Sequence, residues 1–287
     1  MEASRIETVG VVGLGAMGAG IAQVCIQAGF ATVGREVGSE LCERARTVIA
    51  GHLARSVEKE RITAPDRDTA LARLTLTTEM SDLVGCDLVV EAVTEDLAAK
   101  EQVFRELDAV LRGDAIVATN TSALSVTRVA AASTRPDRVV GLHFFNPAPV
   151  MPLVEVVHTE LTSEQAFAGA FGLVERIGKT PIACGDTPGF VVNRILIPVL
   201  NDAVRVLDEG TASPEDLDRA MCLGTNWPIG PLALVDLIGV DVHVHAAEAL
   251  WEAYREPRFA PPPRLVRMQE AGHLGRKTGR GFFRYDA

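Results

Sequence analysis

Three polar clusters in this chain carry residue types that can move a proton or hold an oxygen. They are Asn120-Thr121-Ser122, then His143 within Gly141-Leu142-His143-Phe144-Phe145-Asn146-Pro147, and Glu155 within Met151-Pro152-Leu153-Val154-Glu155-Val156-Val157. The apolar run Val139 to Leu142 carries His143 to a predicted strand end, and two aromatics follow it to exclude water. Glu155 lies on the next β-rich run, close enough to pair with the imidazole. A carboxylate beside an imidazole fixes its tautomer and favours its protonated form, which suits a general base working near neutral pH. Taken singly, each residue has a simpler reading: a structural histidine, a surface charge, and a cap or turn serine.

A second kind of chemistry is written near the N-terminus. The apolar run Val9-Gly10-Val11-Val12 ends in Gly13-Leu14-Gly15-Ala16-Met17-Gly18 and passes into the helical pattern Ile21, Ala22, Val24, Cys25. Strand, glycine turn and helix arrive in the order a dinucleotide-binding unit requires; taken alone, the glycine triplet also reads as a tight strand-to-helix turn. Gly13 permits the turn, Gly15 lets the backbone approach a pyrophosphate, and Gly18 lets helix and strand pack closely. Ala16 and Met17 lie in the same turn, at a helix N-terminus that faces the anion. A second apolar segment, Phe30-Ala31-Thr32-Val33, ends near Glu36. A carboxylate there accepts hydrogen bonds from ribose hydroxyls and repels a 2′-phosphate, so NAD is expected over NADP. The neighbouring Arg35 is the feature that would serve NADP instead.

To act, these residues must be delivered to strand ends. The first part of the chain alternates β-rich runs with helical patterns. Predicted strands end near Gly13, Glu36, Glu91, Thr119 and His143, with Leu74-Thr75-Leu76-Thr77 and Lys179 to Cys184 as further ones. Helical patterns include Ser39 to Lys59 and Leu97 to Leu111, and Thr162-x-x-Gln165 reads as a capping box for the helix beginning near Ser163. This alternation predicts a parallel, doubly wound sheet. The continuous apolar runs Leu88 to Val93 and Ala115 to Thr119 belong to a sheet covered on both faces. Ligands of such a sheet bind beyond the carboxyl ends of its strands.

After Asp186-Thr187-Pro188-Gly189 the strand signal stops. Phe190, Ile195, Ile197, Leu200, Val204 and Leu207 have helical spacing, and Ser213-Pro214-Glu215-Asp216 is a capped helix start. Helical patterns follow over Pro231 to Ile238 and Asp241 to Tyr254, and Pro261-Pro262-Pro263 precedes a last short helix. The expectation is an α/β, Rossmann-type unit over residues 1–186 followed by a smaller all-helical unit over 187–287.

Composition narrows the function classes. At 47% hydrophobic residues the chain has enough apolar material for a substantial core. No apolar run is long enough to span a bilayer, and the acid-bearing start Met1 to Glu7 does not read as a signal peptide. The five cysteines, Cys25, Cys42, Cys86, Cys184 and Cys222, are scattered without metal-type spacing. Reduced thiols in a cytoplasmic, metal-free protein are the simplest reading. A net charge of −10 argues against generic nucleic-acid binding, so anionic ligands must be held by local cations.

Together the segments resemble the short-chain L-3-hydroxyacyl-CoA dehydrogenase family over essentially the whole chain. The resemblance rests on the glycine turn with Gly20-Ile21-Ala22-Gln23, on Ala118 to Ser122, and on Gly141 to Pro147. It continues through Asp186 to Arg194, Pro228-Ile229-Gly230-Pro231 and the closing Gly275 to Phe283. It implies NAD-dependent interconversion of a short 3-hydroxyacyl and 3-oxoacyl thioester, foremost 3-hydroxybutyryl-CoA and acetoacetyl-CoA. It assigns His143 as the base and Glu155 as the acid that orients it. Ser122 and Asn193 hold the substrate's oxygens, Glu95 and Lys100 lie near the cofactor, and Asn120 and Asn146 support cofactor and substrate. The helical unit completes the site, closes over the substrate and supplies a homodimer contact.

One segment departs from the family. His52 to Arg61 corresponds to part of the CoA site; Lys59 keeps a basic residue there, whereas His52 replaces a small polar side chain. The simplest reading is drift in a solvated helix. The alternative is a changed carrier: relatives in polyketide extender-unit pathways oxidise hydroxyacyl groups on acyl carrier protein, whose acidic surface Arg55, Lys59 and Arg61 would face. A related family, which includes 3-hydroxyisobutyrate dehydrogenase, shares the glycine turn but uses a lysine on an interdomain helix, where this chain has Asn193-Arg194. A non-catalytic, crystallin-like or NAD-binding role is the reading from another class. The set Ser122, His143, Glu155 and Asn193 speaks against both.

Overall fold

The structure is a computed structural model that describes residues 6–285. Met1 to Arg5, within the stretch read as lacking a signal peptide, lie outside the described residues. The chain divides into two units, Met1–Thr187 and Pro188–Ala287.

In the first unit the apolar runs become eight strands: β1 (Thr8–Val12), β2 (Ala31–Arg35), β3 (Leu74–Thr77), β4 (Leu88–Glu91), β5 (Ile116–Thr119), β6 (Val139–Phe144), β7 (Leu153–His158) and β8 (Thr180–Gly185). Between them run α1 (Ala16–Gln27), α2 (Ser39–Glu58), α3 (Ala64–Leu71), α4 (Leu97–Val110), α5 (Val126–Ala130) and α6 (Glu164–Arg176). The sheet order is β3-β2-β1-β4-β5-β6-β7-β8. The chain winds outward from β1 to β3 and returns to β4 on the other side of β1, which makes a switch point at the β1 and β4 carboxyl ends. Every residue of β4 and β5 is buried, as a sheet covered on both faces requires.

Two local expectations are corrected. The sheet is not parallel throughout: β7 runs antiparallel to β6, and β8 is parallel to β7. No helix separates β6 from β7, and a connection this short reverses the chain rather than crossing over it. The cap of α6 is Ser163, whose side chain accepts from Ala166 N, rather than Thr162. Thr162 instead donates its hydroxyl proton to Val139 O at 2.8 Å, and Gln165 accepts from Arg138 Nη1 at 3.2 Å. A capping box does occur at α3, formed by Thr63 and Asp66.

The second unit contains α7 (Val192–Asp208), α8 (Pro214–Thr225), α9 (Pro231–Ile238), α10 (Val240–Tyr254) and α11 (Pro263–Glu270). Leu200, Val204, Leu232, Val235, Val244 and Leu265 form its main core. The helical spacing read from Phe190 is corrected: Phe190 precedes α7 in a left-handed conformation, φ 48°, and Ile195 on the helix is 64% exposed. The buried Asp236 of α9 accepts from Phe282 N, Phe283 N and Tyr285 Oη, so the closing glycine-rich motif wraps a carboxylate. Burial pushes the Tyr285 hydroxyl up to about 12, aided by the Asp236 charge. Among the described residues no helix is long and apolar enough to cross a membrane.

Candidate active site

The β6–β7 register decides the central contact. His143 and Glu155 are directly opposed partners of an antiparallel pair, so their side chains leave the same face as close neighbours. His143 Nδ1 lies 2.6 Å from Glu155 Oε2, with both side chains buried. The carboxylate accepts at Nδ1, which places that proton on Nδ1 and makes Nε2 the nitrogen that can exchange one. His143 Nε2 is 3.1 Å from Ser122 Oγ. Ser122 itself is exposed, and the Phe145 ring covers the imidazole at 4.5 Å between centroids. The arrangement therefore offers a buried, oriented imidazole whose outer nitrogen meets a solvent-side hydroxyl.

The loop that carries Ser122 is gripped by Glu95. Its Oε1 accepts from Thr121 Oγ1 at 2.6 Å, Ser122 N at 2.7 Å and Ala123 N at 3.0 Å. Burial raises the Glu95 carboxyl, but the Lys100 charge and these hydrogen bonds outweigh it and hold the group below its ordinary range. Lys100 is buried on α4, 2.7 Å from Glu91 Oε1 and 3.3 Å from Glu95 Oε2. Glu91 ends β4 with no exposure and also accepts from Thr119 Oγ1 at 2.7 Å and Val93 N at 2.8 Å. The three charges thus join the β4 and β5 ends to the Ser122 loop. Asn120 Oδ1 accepts from Phe144 N at 3.0 Å, which pins the β5 end to the β6 end. Asn146 is exposed in the turn that follows β6.

The glycine turn lies at the switch point. Gly13 has φ 86°, and a Cβ there would meet Ala92 O at 2.8 Å; a Cβ on Gly18 would fall 1.8 Å from Gly13 O. Both glycines are demanded by the protein's own packing. Gly15 differs: nothing lies within 4 Å of where its Cβ would be, and no side chain caps α1. An open cradle over an uncapped helix N-terminus, at Gly15, Ala16 and Met17, fits a dinucleotide pyrophosphate. Glu36 Oε1 accepts from Leu14 N at 2.7 Å and Oε2 from Val37 N at 3.0 Å, so the carboxylate is tied to this turn. Arg35 Nε instead donates to Thr78 O at 3.2 Å, beyond the end of β3.

Two sequence candidates stand outside this cluster. Lys59 is the exposed C-cap of α2; among the described residues neither it nor Arg55 nor Arg61 enters an ion pair. His52 Nδ1 meets Gln23 Oε1 at 3.2 Å, a contact between α2 and α1. Asn193 lies in the first turn of α7, in the second unit. Sequence reading missed Glu91, Thr119 and Asp186 as supporting groups. The available signal for Glu91 was a lone charge closing a wholly apolar central strand. Among the described residues no group of acids, histidines and cysteines is placed to hold a metal.

A doubly wound sheet with a glycine cradle at its β1/β4 switch point and an oriented imidazole at the β6 end defines a nucleotide-dependent oxidoreductase. Residues 8–187 match the 3-hydroxyacyl-CoA dehydrogenase NAD-binding domain, and residues 189–285 match the 3-hydroxyacyl-CoA dehydrogenase C-terminal domain. The chain belongs to the 3-hydroxyacyl-CoA dehydrogenase family. It is 46% identical over 282 residues to a 3-hydroxybutyryl-CoA dehydrogenase of Mycobacterium tuberculosis, covering 98% of this chain and 99% of that one. The solved structure of M. tuberculosis FadB2 superposes with a TM-score of 0.96 at 46% identity, covering 99% of this chain and 100% of that one. The (S)-3-hydroxybutyryl-CoA dehydrogenase PaaH1 of Ralstonia eutropha gives 0.94 at 43% identity, with coverage of 99% and 100%.

Proposed function

We propose that the chain interconverts a short 3-hydroxyacyl-CoA and its 3-oxoacyl-CoA with NAD, the pair being 3-hydroxybutyryl-CoA and acetoacetyl-CoA. The observation that carries this reading is the contact chain from the buried Glu155 through the buried His143 to the exposed Ser122, at 2.6 and 3.1 Å. The names of the similar dehydrogenases support the substrate.

In oxidation, His143 Nε2 takes the proton of the 3-hydroxyl. Glu155, on Nδ1, stabilises the imidazolium that forms. Ser122 Oγ and Asn193 hold the substrate's oxygen, and Asn146 supports that binding. When bound, the dinucleotide supplies the hydride acceptor. Gly15, Ala16 and Met17 hold its pyrophosphate in the turn that Gly13 and Gly18 make possible, with Glu95, Lys100 and Asn120 supporting the same strand ends. In reduction, the protonated imidazole returns its proton to the oxygen. Correct placement of these groups contributes much of the rate.

Glu36 makes NAD the cofactor: its carboxylate meets the ribose edge, and Arg35 is engaged with Thr78 O. Lys59 is the cation for a CoA phosphate. The reading includes a homodimer built through the helical unit and a cytoplasmic location.

The test supplies 3-hydroxybutyryl-CoA and a carrier-protein-bound 3-hydroxybutyryl group, each with NAD and NADP, and follows nicotinamide reduction. The CoA ester with NAD is expected to give the highest kcat/KM. Preferential turnover of the carrier-bound group would replace CoA by acyl carrier protein, and preference for NADP would remove the role of Glu36. Sedimentation velocity tests the dimer.

A further inference from the structure

Asp186 lies partly buried just after β8, and its carboxylate has three donors. Oδ2 accepts from Ser125 Oγ at 2.9 Å and Thr127 N at 2.7 Å, and Oδ1 accepts from Val126 N at 3.0 Å. All three donors belong to the start of α5, a helix of five residues. A helix this short does not hold itself and depends on its tertiary contacts. It directly follows the loop that carries Ser122.

The backbone of Asp186 is tied elsewhere. Its N–H donates to His158 O at 3.1 Å, at the end of the β7–β8 pairing. The strand β7 is the one that carries Glu155. Asp186 therefore joins the two elements that flank the imidazole. One bears Glu155, which meets Nδ1; the other bears Ser122, which meets Nε2. Glu95 grips the loop at Thr121, Ser122 and Ala123, and Asp186 grips it at Ser125, Val126 and Thr127. Ser122 is held between two carboxylates.

We infer that Asp186 is a positioning residue for proton transfer: it fixes the α5 end of the loop so that Ser122 Oγ stays against His143 Nε2. The inference rests on the proposed roles of His143 and Ser122. A carboxylate suits the task because it accepts at every position. An asparagine of the same shape turns an NH2 toward one of the three donors, leaving that donor unmet and the loop displaced.

The experiment is a double-mutant cycle of Asp186→Asn with Ser122→Ala in the full-length protein, with His143→Ala as an independent control. Asp186→Asn is expected to lower kcat by roughly 10- to 100-fold, the scale of small misplacements in a reacting geometry, with the Kd for NADH unchanged. In the Ser122→Ala background its effect shrinks to about twofold or less, because coupled residues are non-additive. An equal fold-loss in both backgrounds, or a kcat within about twofold of wild type for Asp186→Asn alone, overturns the inference. If Asp186→Asn does not fold, Ser125→Ala replaces it in the same cycle, losing roughly two- to fivefold in kcat by the same coupling. Wild-type turnover in His143→Ala would instead overturn the proposed function, a result the cycle cannot produce.

Discussion

Two buried carboxylates, one in each unit, are satisfied in different ways. Asp236 in the helical unit accepts from two backbone N–H groups and a tyrosine hydroxyl. Glu155 in the sheet unit faces an imidazole at 2.6 Å. The partners of Asp236 keep their protons near neutral pH, so that acid fastens the closing motif. The partner of Glu155 is an imidazole, whose second nitrogen can take up or give back a proton. A buried acid bound to fixed donors does structural work, and one bound to a titratable base can serve chemistry. The same contrast holds within the sheet unit. Glu95 and Asp186 take backbone N–H groups and hold a loop, while Glu155 orients the group that the loop's serine meets.

That contrast predicts separable phenotypes. The largest expected effect is on turnover: His143→Ala should lower kcat by roughly 10²–10⁴-fold while the NADH affinity of the folded protein stays near wild type. Glu155→Gln should reduce kcat less and alter its pH profile. Wild-type turnover in His143→Ala would abolish the distinction between the two acids.

Asp236→Ala should behave in the opposite way. Removing an ionised acceptor strands two backbone donors and a hydroxyl, at a cost of about 3 kcal/mol or more in stability. Urea unfolding would show a lower midpoint, whereas kcat per folded molecule should change little. A variant as stable as wild type but slow in turnover would reverse the assignment of the two regions.

Glu95→Gln offers a test of pH dependence. The Glu95 carboxyl lies below its ordinary value of 4.5 in the folded protein, despite burial, because of Lys100 and its hydrogen bonds. On acidification the unfolded chain takes up this proton first, so protonation favours unfolding. The stability that Glu95 contributes is therefore present above pH 4.5 and is lost as pH falls through the lowered folded value. Melting curves of wild type and Glu95→Gln should converge below that point. Curves that stay parallel into acid would mean that the carboxylate's charge is not what grips the Ser122 loop.

The smallest expected effect concerns Lys59, an exposed cation. Lys59→Ala should raise the KM for acyl-CoA severalfold with little change in kcat, the signature of uniform binding. Because exposed charges are screened, the difference should narrow as salt rises. An unchanged KM at low salt would remove Lys59 from the site.

Much of the sheet unit was legible because its signals are local. A run such as Leu88-Val89-Val90-Glu91 can be buried on both faces only as a central strand, and the glycine spacing states its own turn. The helical starts at Ser213-Pro214 and Pro231 were equally plain. Strand direction was not, since hydrophobic pattern carries no polarity; the reversal of β7 follows from the missing helix before it. The Thr162 and Ser163 hydroxyls satisfy the same local rule, and only the fold shows Thr162 engaged with Val139 O. His52 reads as a solvated helix residue until Gln23 on α1 is brought against it.

The sequence by itself determined the fold class, the glycine turn, and the residue types that stand at the strand ends, because backbone sterics and hydrophobic periodicity act over a few neighbouring positions. Tertiary structure alone decided which of those residues meet. His143 reaches Glu155 through the register of β6 on β7, Lys100 lies between Glu91 and Glu95 because α4 packs across the β4 end, and Asp186 finds Ser125 to Thr127 across the sheet. The physical reason is range: a hydrogen bond forms only within about 3 Å, and contacts between distant parts of a chain exist only once the core has fixed the elements that carry them.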